Sequence, residues 1–359
     1  MTRTRHEWWS ELATLSATIA ALPVPADERY WDTATNRARN AVAFNLSACG
    51  DHNASIARWA DKLAKEGVAS QQIGKLLADL TSRNTYGTFS ELAVYGLLLD
   101  AGIPFKIQVP MSGTAILNPN GSDLDGVLAI GNPVYFDVKA FGLHEYLAEE
   151  LGRKLSASFP SDFVAIGGSV DVAVDDMSDL LSKDLKPLVA ELMSARKAAR
   201  GALEIRLEPK KPVQFVTNTA NPYELAENHA SYAFRFAKQF VRREAFILVF
   251  VIHPWLGGSR LSIDFSDDTQ KFMRSFARRT FMQFRSDSTE VFGVTRATAS
   301  RLLTGIMFVD AWQQASDRPR NHALYLNPYA MHPMSKLDRV RLVTGIKDMG
   351  YDDFEHDAY

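Results

Sequence analysis

Residues 133–141, PVYFDVKAF, place an aspartate and a lysine two positions apart in a run that is otherwise apolar or aromatic apart from Tyr135. Side chains alternate along a strand, so Tyr135, Asp137, Lys139 and Phe141 share one face, and Val134, Phe136, Val138 and Ala140 share the other. The second face is apolar and belongs against a core. The first carries a carboxylate and an ammonium pointing the same way. On the preceding run, SDLDGVLAI (122–130), Asp123, Asp125, Val127 and Ala129 share a face opposite Leu124, Leu128 and Ile130. A connection of three or five residues around Gly131 and Asn132 is expected to set Asp125 across from Lys139 and diagonal to Asp137. A two-residue connection would shift the register by one and separate them. Upstream, FSELAVYGLLLDAG (89–102) has helical spacing, with Val94, Tyr95 and Leu98 on the stripe of Glu91. A carboxylate on an apolar stripe is costly to bury unless a metal ion or a cation such as Lys139 meets it.

Three carboxylates and one lysine converging on a sheet edge suit phosphodiester cleavage. Mg²⁺ binds through one or two carboxylates, waters and phosphate oxygens. Such an ion polarises the phosphate and lowers the pKa of a bound water. A neighbouring lysine can orient that water or offset charge in the transition state. The alternative arrangement is a salt-bridged Asp137–Lys139 pair on a half-solvated sheet, with Asp125 capping a turn and Glu91 facing water.

The ordered runs SELAVYGLLL (90–99), SDLDGV (122–127) and FDVKA (136–140) resemble the PD-(D/E)XK nuclease superfamily, the restriction-endonuclease-like group. The resemblance covers about a quarter of the chain. It implies an α-β-β-β-α-β core with a mixed sheet and Mg²⁺-dependent hydrolysis of DNA, with Mn²⁺ as a substitute. It further implies that Asp125, Asp137 and the Val138 carbonyl hold the metal, that Glu91 joins them from its helix, and that Lys139 acts near the attacking water. Leu124 stands where the motif has proline, and Asp123 competes with Asp125. The roles implied are a restriction-type or phage-defence endonuclease, or a repair or recombination nuclease acting on structured DNA or ends. A non-catalytic nucleic-acid-binding protein with the same fold is the alternative from another class. Cutting both strands of a duplex would favour a homodimer.

The elements that must position these residues follow from periodicity. Residues 1–85 read as a helical N-terminal domain, with segments near 6–21, 28–48, 52–67 and 70–82. Residues 86–260 read as the α/β nuclease core: a helix to Gly102, strands at 105–109, 122–130 and 133–141, a helix at 143–158 and a strand at 169–174. Helix is expected over 176–201 and 222–242, and strands at LEIRL (203–207), VQFVT (213–217) and FILVFVI (246–252). Residues 261–359 read as an α/β extension with a helix over 267–285 and a strand within 303–312. The acidic, aromatic stretch DDFEHDAY (352–359) reads as a solvated tail.

Net charge is −2, so any nucleic-acid contact must come from local clusters. On the 267–285 helix, Lys271, Arg274, Arg278 and Arg285 form a cationic stripe, with Phe272, Phe276, Thr280 and Phe284 opposite. Arg235, Lys238, Arg242 and Arg243 form a second cluster; Arg196, Lys197 and Arg200 with Lys210 and Lys211 form a third. These are the candidates for phosphate contacts. A phosphate-binding G-x-x-x-x-G-K-[ST] loop, a dinucleotide fingerprint, an H-E-x-x-H pair and a C-x-x-C pair are all missing, so no nucleotide cofactor and no zinc finger are expected. One cysteine, Cys49, permits no internal disulfide and suits the cytoplasm. No apolar run approaches membrane-spanning length, so no membrane partner is expected.

Overall fold

The computed structural model describes residues 5–24, 50–80, 85–141, 143–168, 179–181, 183–201, 203–210, 222–252, 266–311 and 322–357. Cys49, the 28–48 segment and the strands expected at 169–174 and 213–217 lie outside these. Strands run in chain order as β1 (Phe105–Met111), β2 (Ser122–Leu128), β3 (Val134–Phe141), β4 (Asp162–Gly168), β5 (Lys197–Arg200), β6 (Leu203–Pro209), β7 (Ala245–Ile252), β8 (Glu290–Val291), β9 (Val294–Thr295), β10 (Gly305–Asp310), β11 (His322–Leu326) and β12 (Met349–Asp352). The fold class is α/β with a mixed sheet. Among the described residues, no helix is long and apolar enough to cross a membrane.

The chain forms two compact units whose limits cross the expected domain boundaries. One gathers Met1–Phe89, Gly142–Asn218 and Trp255–Ser259. Its described N-terminal residues are mainly helical, as the spacing requires. In the Gly50–Lys65 helix, Ile56, Trp59, Ala60 and Leu63 are buried, and in Ser70–Leu80 so are Ile73, Leu76, Leu77 and Leu80. Its second part packs the Leu143–Ser158 and Leu185–Ala195 helices on the antiparallel sheet β4-β6-β5, around Leu151, Leu155, Leu188, Leu192, Ile205 and Leu207.

The other unit comprises Ser90–Phe141, Thr219–Pro254 and Arg260–Tyr359. It holds a seven-stranded sheet in the order β1-β2-β3-β7-β10-β11-β12. β1, β2 and β3 pair antiparallel in sequence, whereas β3, β7 and β10 are parallel. Every residue of β7 and β10 is buried, the mark of central strands covered on both faces. The strand beside β3 is β7; β4, which follows the 143–158 helix, belongs to the other sheet. Residues 261–359 were expected as a separate extension, but β10, β11 and β12 complete the same sheet.

The Thr85–Asp100 helix ends as its sequence requires. Gly102 takes φ +63°, Ile103 N–H donates to the Leu98 carbonyl and Gly102 N–H to the Leu99 carbonyl. This is a Schellman closure, with Ile103 and Leu98 both buried beside it. The Ser266–Met282 helix docks through Phe272, Phe276 and Thr280, the side read as apolar. The 222–242 stretch is not one α-helix. It is a short α-helix, Pro222–Asn228, followed by an eight-residue 3₁₀ helix, Tyr232–Gln239.

Candidate active site

β2 and β3 pair only near their connection, from Leu128↔Val134 to Gly126↔Phe136. That leaves residues 129–133 as a five-residue connection. Continued by one step, this register sets Asp125 opposite Asp137. The expected pairing of Asp125 with Lys139 is therefore corrected, although the three side chains do share a face. The ladder opens at this step. On the other side of β2, the β1 pairing skips from Ile107↔Gly126 to Val109↔Leu124. The skipped residue, Gln108, has φ +49°, a strained value for a residue with a Cβ. Asp125 thus sits where β2 is released from both neighbours.

Other groups take over its hydrogen bonding. The Tyr95 hydroxyl, from the helix, donates to the Asp125 carbonyl at 2.8 Å. The Val138 N–H donates to Asp125 Oδ2 at 2.6 Å. A strand residue sends its N–H and C=O to the same side, so the Val138 carbonyl also faces this opening. Gly126 makes a close approach of its neighbours possible. A Cβ there would lie 2.4 Å from the Phe136 ring and 2.6 Å from the Lys106 carbonyl oxygen.

Asp137 is 1% exposed, and its Oδ2 lies 2.5 Å from Lys139 Nζ, on a side chain 21% exposed. Its Oδ1 has no hydrogen-bond partner. Burial raises the Asp137 carboxyl to about 7; the Lys139 ammonium pulls against that rise, and the facing Asp125 carboxylate adds to it. Burial works to lower the Lys139 pKa, but Asp137, Asp125 and Glu91 outweigh it and the net shift is upward. The Tyr95 hydroxyl is held well above its usual range, by burial first and then by Glu91, Asp125 and Asp137. The ammonium of Lys139 stands 5.5 Å from the centre of the Phe236 ring. Behind it Phe236, Tyr232, Phe141, Phe250, Phe276 and Phe308 interlock at centroid separations of 5.4–6.2 Å. This apolar backing strengthens each charge interaction in front of it.

The structure brings Asp125, Asp137 and Lys139 together, with Glu91 half-buried on the helix and acting on the same lysine. Asp123 is exposed and pairs with Pro110 of β1, away from this group. Among the described residues, no set of three or more His, Cys, Asp or Glu side chains is arranged to hold a metal ion, so Glu91 does not complete a three-carboxylate cage. Two facing carboxylates and one backbone carbonyl still match a Mg²⁺ ion, which draws its other ligands from water and phosphate. The unpartnered, buried Oδ1 of Asp137 is a position such an ion would satisfy.

The basic candidates divide. Arg274 bonds Asp352 and Asp357 at 2.6 Å each, and Arg278 bonds Asp357 at 2.5 Å. Phe354 is buried between the Phe281 and Tyr325 rings. The stretch read as a solvated tail is therefore docked on the stripe it was expected to leave open. Arg285 stacks on Tyr329 with its guanidinium 3.9 Å from the ring centre, and Lys271 is exposed. Arg242 donates from Nε to the Ile116 carbonyl at 3.0 Å. Arg235 and Lys238 are exposed on the 3₁₀ helix. In the other unit, Arg196 pairs with Asp162 and Arg200 with Glu191, each at 2.6 Å.

Sequence reasoning missed Tyr95, Gln108, Gly126 and Phe236. The Asp125-Gly126 dipeptide inside a strand was the available signal, since glycine there marks a bulge or a close backbone approach. Nothing in the sequence marked Gln108. The chain matches no protein-family model, and no curated protein or solved structure is similar enough to it to show kinship.

Proposed function

We propose that this chain is a divalent-metal-dependent nuclease with a restriction-endonuclease-like core, hydrolysing DNA phosphodiester bonds at Asp125, Asp137 and Lys139. One observation carries the reading. A buried aspartate with an unpartnered oxygen faces a second aspartate where two strands part, with a lysine two residues along the same strand. The α-β-β-β order of the 85–141 segment supports it, with β7 as the parallel strand beside β3.

Asp125, Asp137 and the Val138 carbonyl are the groups that would hold Mg²⁺ or Mn²⁺. When bound, the ion supplies Lewis-acid activation of the phosphate and of a water. The protein's own contribution is positional. The Val138 N–H fixes the Asp125 carboxylate, and Tyr95 fixes the backbone that carries it. Lys139, held by Asp137 and by the Phe236 ring, keeps its proton and presents positive charge where a phosphorane gains negative charge. Glu91 strengthens the hold on that proton.

Plasmid, linear duplex and single-stranded DNA, incubated with Mg²⁺ or Mn²⁺, test the reading. Wild type cleaves at least one of them, and Asp137→Ala and Lys139→Ala each lose activity by about 100-fold or more, the usual size for removing a transition-state contact. Full activity in either variant, or no cleavage by wild type, refutes it. Binding without cleavage would instead support a non-catalytic nucleic-acid-binding protein.

A further inference from the structure

Whether Asp125 faces Asp137 depends on the register of β2 against β3, because a slip of one residue turns every side chain of a strand to the other face. β3 pairs with β7 over eight residues and β1 with β2 over six, but β2 meets β3 in three pairs. The β1–β2 ribbon is thus a well-paired unit joined to the rest of the sheet by a short ladder. Its far end is tied separately: Leu117 and Asn118 N–H donate to the Phe240 and Lys238 carbonyls at 3.1 and 2.7 Å. At the near end the tie runs through the connection, residues 129–133.

That connection is gripped by the Lys336–Gly345 helix, from the far end of the sequence. Ser335 caps the helix: its hydroxyl oxygen accepts the Asp338 N–H at 3.1 Å, and its O–H donates to Asp338 Oδ2 at 2.6 Å. In a capping box the acid at the third helical position reaches back to the N–H of the cap residue. Asp338 stands at that position but bonds the connection instead, with Oδ2 accepting the Asn132 N–H at 3.3 Å. Its Oδ1 lies against Gly131, where a Cβ would come within 2.2 Å of it, and Gly131 takes φ +154°, a value that suits glycine. Arg341, one turn on, donates from Nη1 to the Ile130 carbonyl. Ala129 N–H donates to the Pro104 carbonyl at 2.8 Å, just before β1. The helix reaches the same place, since a Cβ on Gly345 would meet Ile103 at 3.4 Å. Residues 129–132 therefore each have a fixed neighbour. Asp338 is buried, whereas Gly131 and Asn132 are exposed. Five-residue connections between antiparallel strands close without such help, so a buried carboxylate on this one points to the placement it enforces.

We propose that Asp338 and Arg341 are positioning residues: from their helix they hold the 129–133 connection, and through it the register that keeps the Asp125 carboxylate facing Asp137. The proposal rests on the nuclease reading for what the two aspartates do, but not for how they are held.

Amide hydrogen exchange of the full chain, followed by NMR without metal, tests the placement directly. The Val138 N–H donates to Asp125 Oδ2, so its exchange reports whether Asp125 is in place. Asp338→Ala should speed exchange at Val138 by about tenfold or more, while Val249 and Met307 in the middle of the sheet exchange as in wild type. Arg341→Met, at an exposed position, should act in the same direction and serves if Asp338→Ala does not fold. Asp338→Asn keeps an acceptor for the Asn132 N–H and should lie between wild type and Asp338→Ala. With Mn²⁺, Asp338→Ala should slow cleavage at saturating DNA by about 10- to 100-fold with the KM for DNA unchanged. Unchanged exchange at Val138 in these variants, equal acceleration throughout the sheet, or an undiminished cleavage rate overturns the proposal. Faster exchange confined to Val138, with no metal-dependent cleavage by wild type, keeps the clamp and refutes the nuclease reading.

Discussion

Replacing Asp137 by asparagine should make the metal-free protein less sensitive to rising pH. Burial pushes the Asp137 carboxyl up to about 7 in the folded protein, against 3.8 for the free side chain. A carboxyl whose pKa is raised on folding contributes stability that is complete below the unfolded value and is lost as pH climbs through the folded one. The folded state holds the proton between about pH 4 and 7, whereas the unfolded chain releases it. Over the full window the loss approaches about 4 kcal/mol, from roughly three pKa units at 1.36 kcal/mol each. Between pH 5 and pH 8 it amounts to roughly 2–3 kcal/mol. Lys139 remains charged across this range because its pKa is shifted upward, so it adds no slope of its own. For a unit of this size the loss corresponds to a melting-temperature difference of roughly 5–10 °C. Thermal unfolding of wild type and Asp137→Asn at pH 5 and pH 8, in EDTA, measures it. Other titrating groups cancel in the comparison. Asparagine is expected to narrow the gap between the two pH values by that amount, and Mg²⁺ to restore wild type at pH 8 more than the variant. Parallel pH dependence in the two proteins would refute the assignment of a strained carboxylate at this position.

Two further substitutions probe the stretch of β2 around Asp125. Gly126→Ala should cost roughly 1–3 kcal/mol in chemical denaturation and lose most cleavage, because its Cβ meets the immobile Lys106 carbonyl as well as the Phe136 ring; wild-type stability would show that β2 has room there. Tyr95→Phe removes the donor to the Asp125 carbonyl and should cost about 1–3 kcal/mol with a fall in cleavage rate. Stability within about 0.5 kcal/mol of wild type would mean that the hydroxyl contributes nothing to holding Asp125.

What could be read in advance depended on how local the cause was. Asp137 and Lys139 share a face by strand alternation alone, and both residues lie within one strand. The end of the 85–100 helix was equally legible, since Gly102 supplies the left-handed residue its closure needs. The partner of Asp125 was not, because register depends on how many residues the connection takes, and β2 gives up its last pairs where Gln108 turns. The neighbour of β3 was less visible still. Its choice of β7 is a contest between apolar strands far apart in the chain, and AFILVFVI wins a central place by being buried on both faces. The apolar period of 222–242 suited an α-helix, yet the chain takes the tighter 3₁₀ form over 232–239. Dense basic residues at 271–285 suggested an open cationic face; the acidic partners sit some eighty positions later, beyond any local rule.

The pairing of Val134 with Ala245 also orders events during synthesis. When β1, β2 and β3 have left the ribosome, the strand that will lie against β3 has yet to be translated. Until then one edge of β3 offers bare N–H and C=O groups, an invitation to pair with another chain. Asp137 and Lys139 stand on that border strand, and charged side chains on an edge strand disfavour pairing with another chain. β7 then covers this edge. Slow closure of so distant a contact is the period of greatest exposure to misassembly.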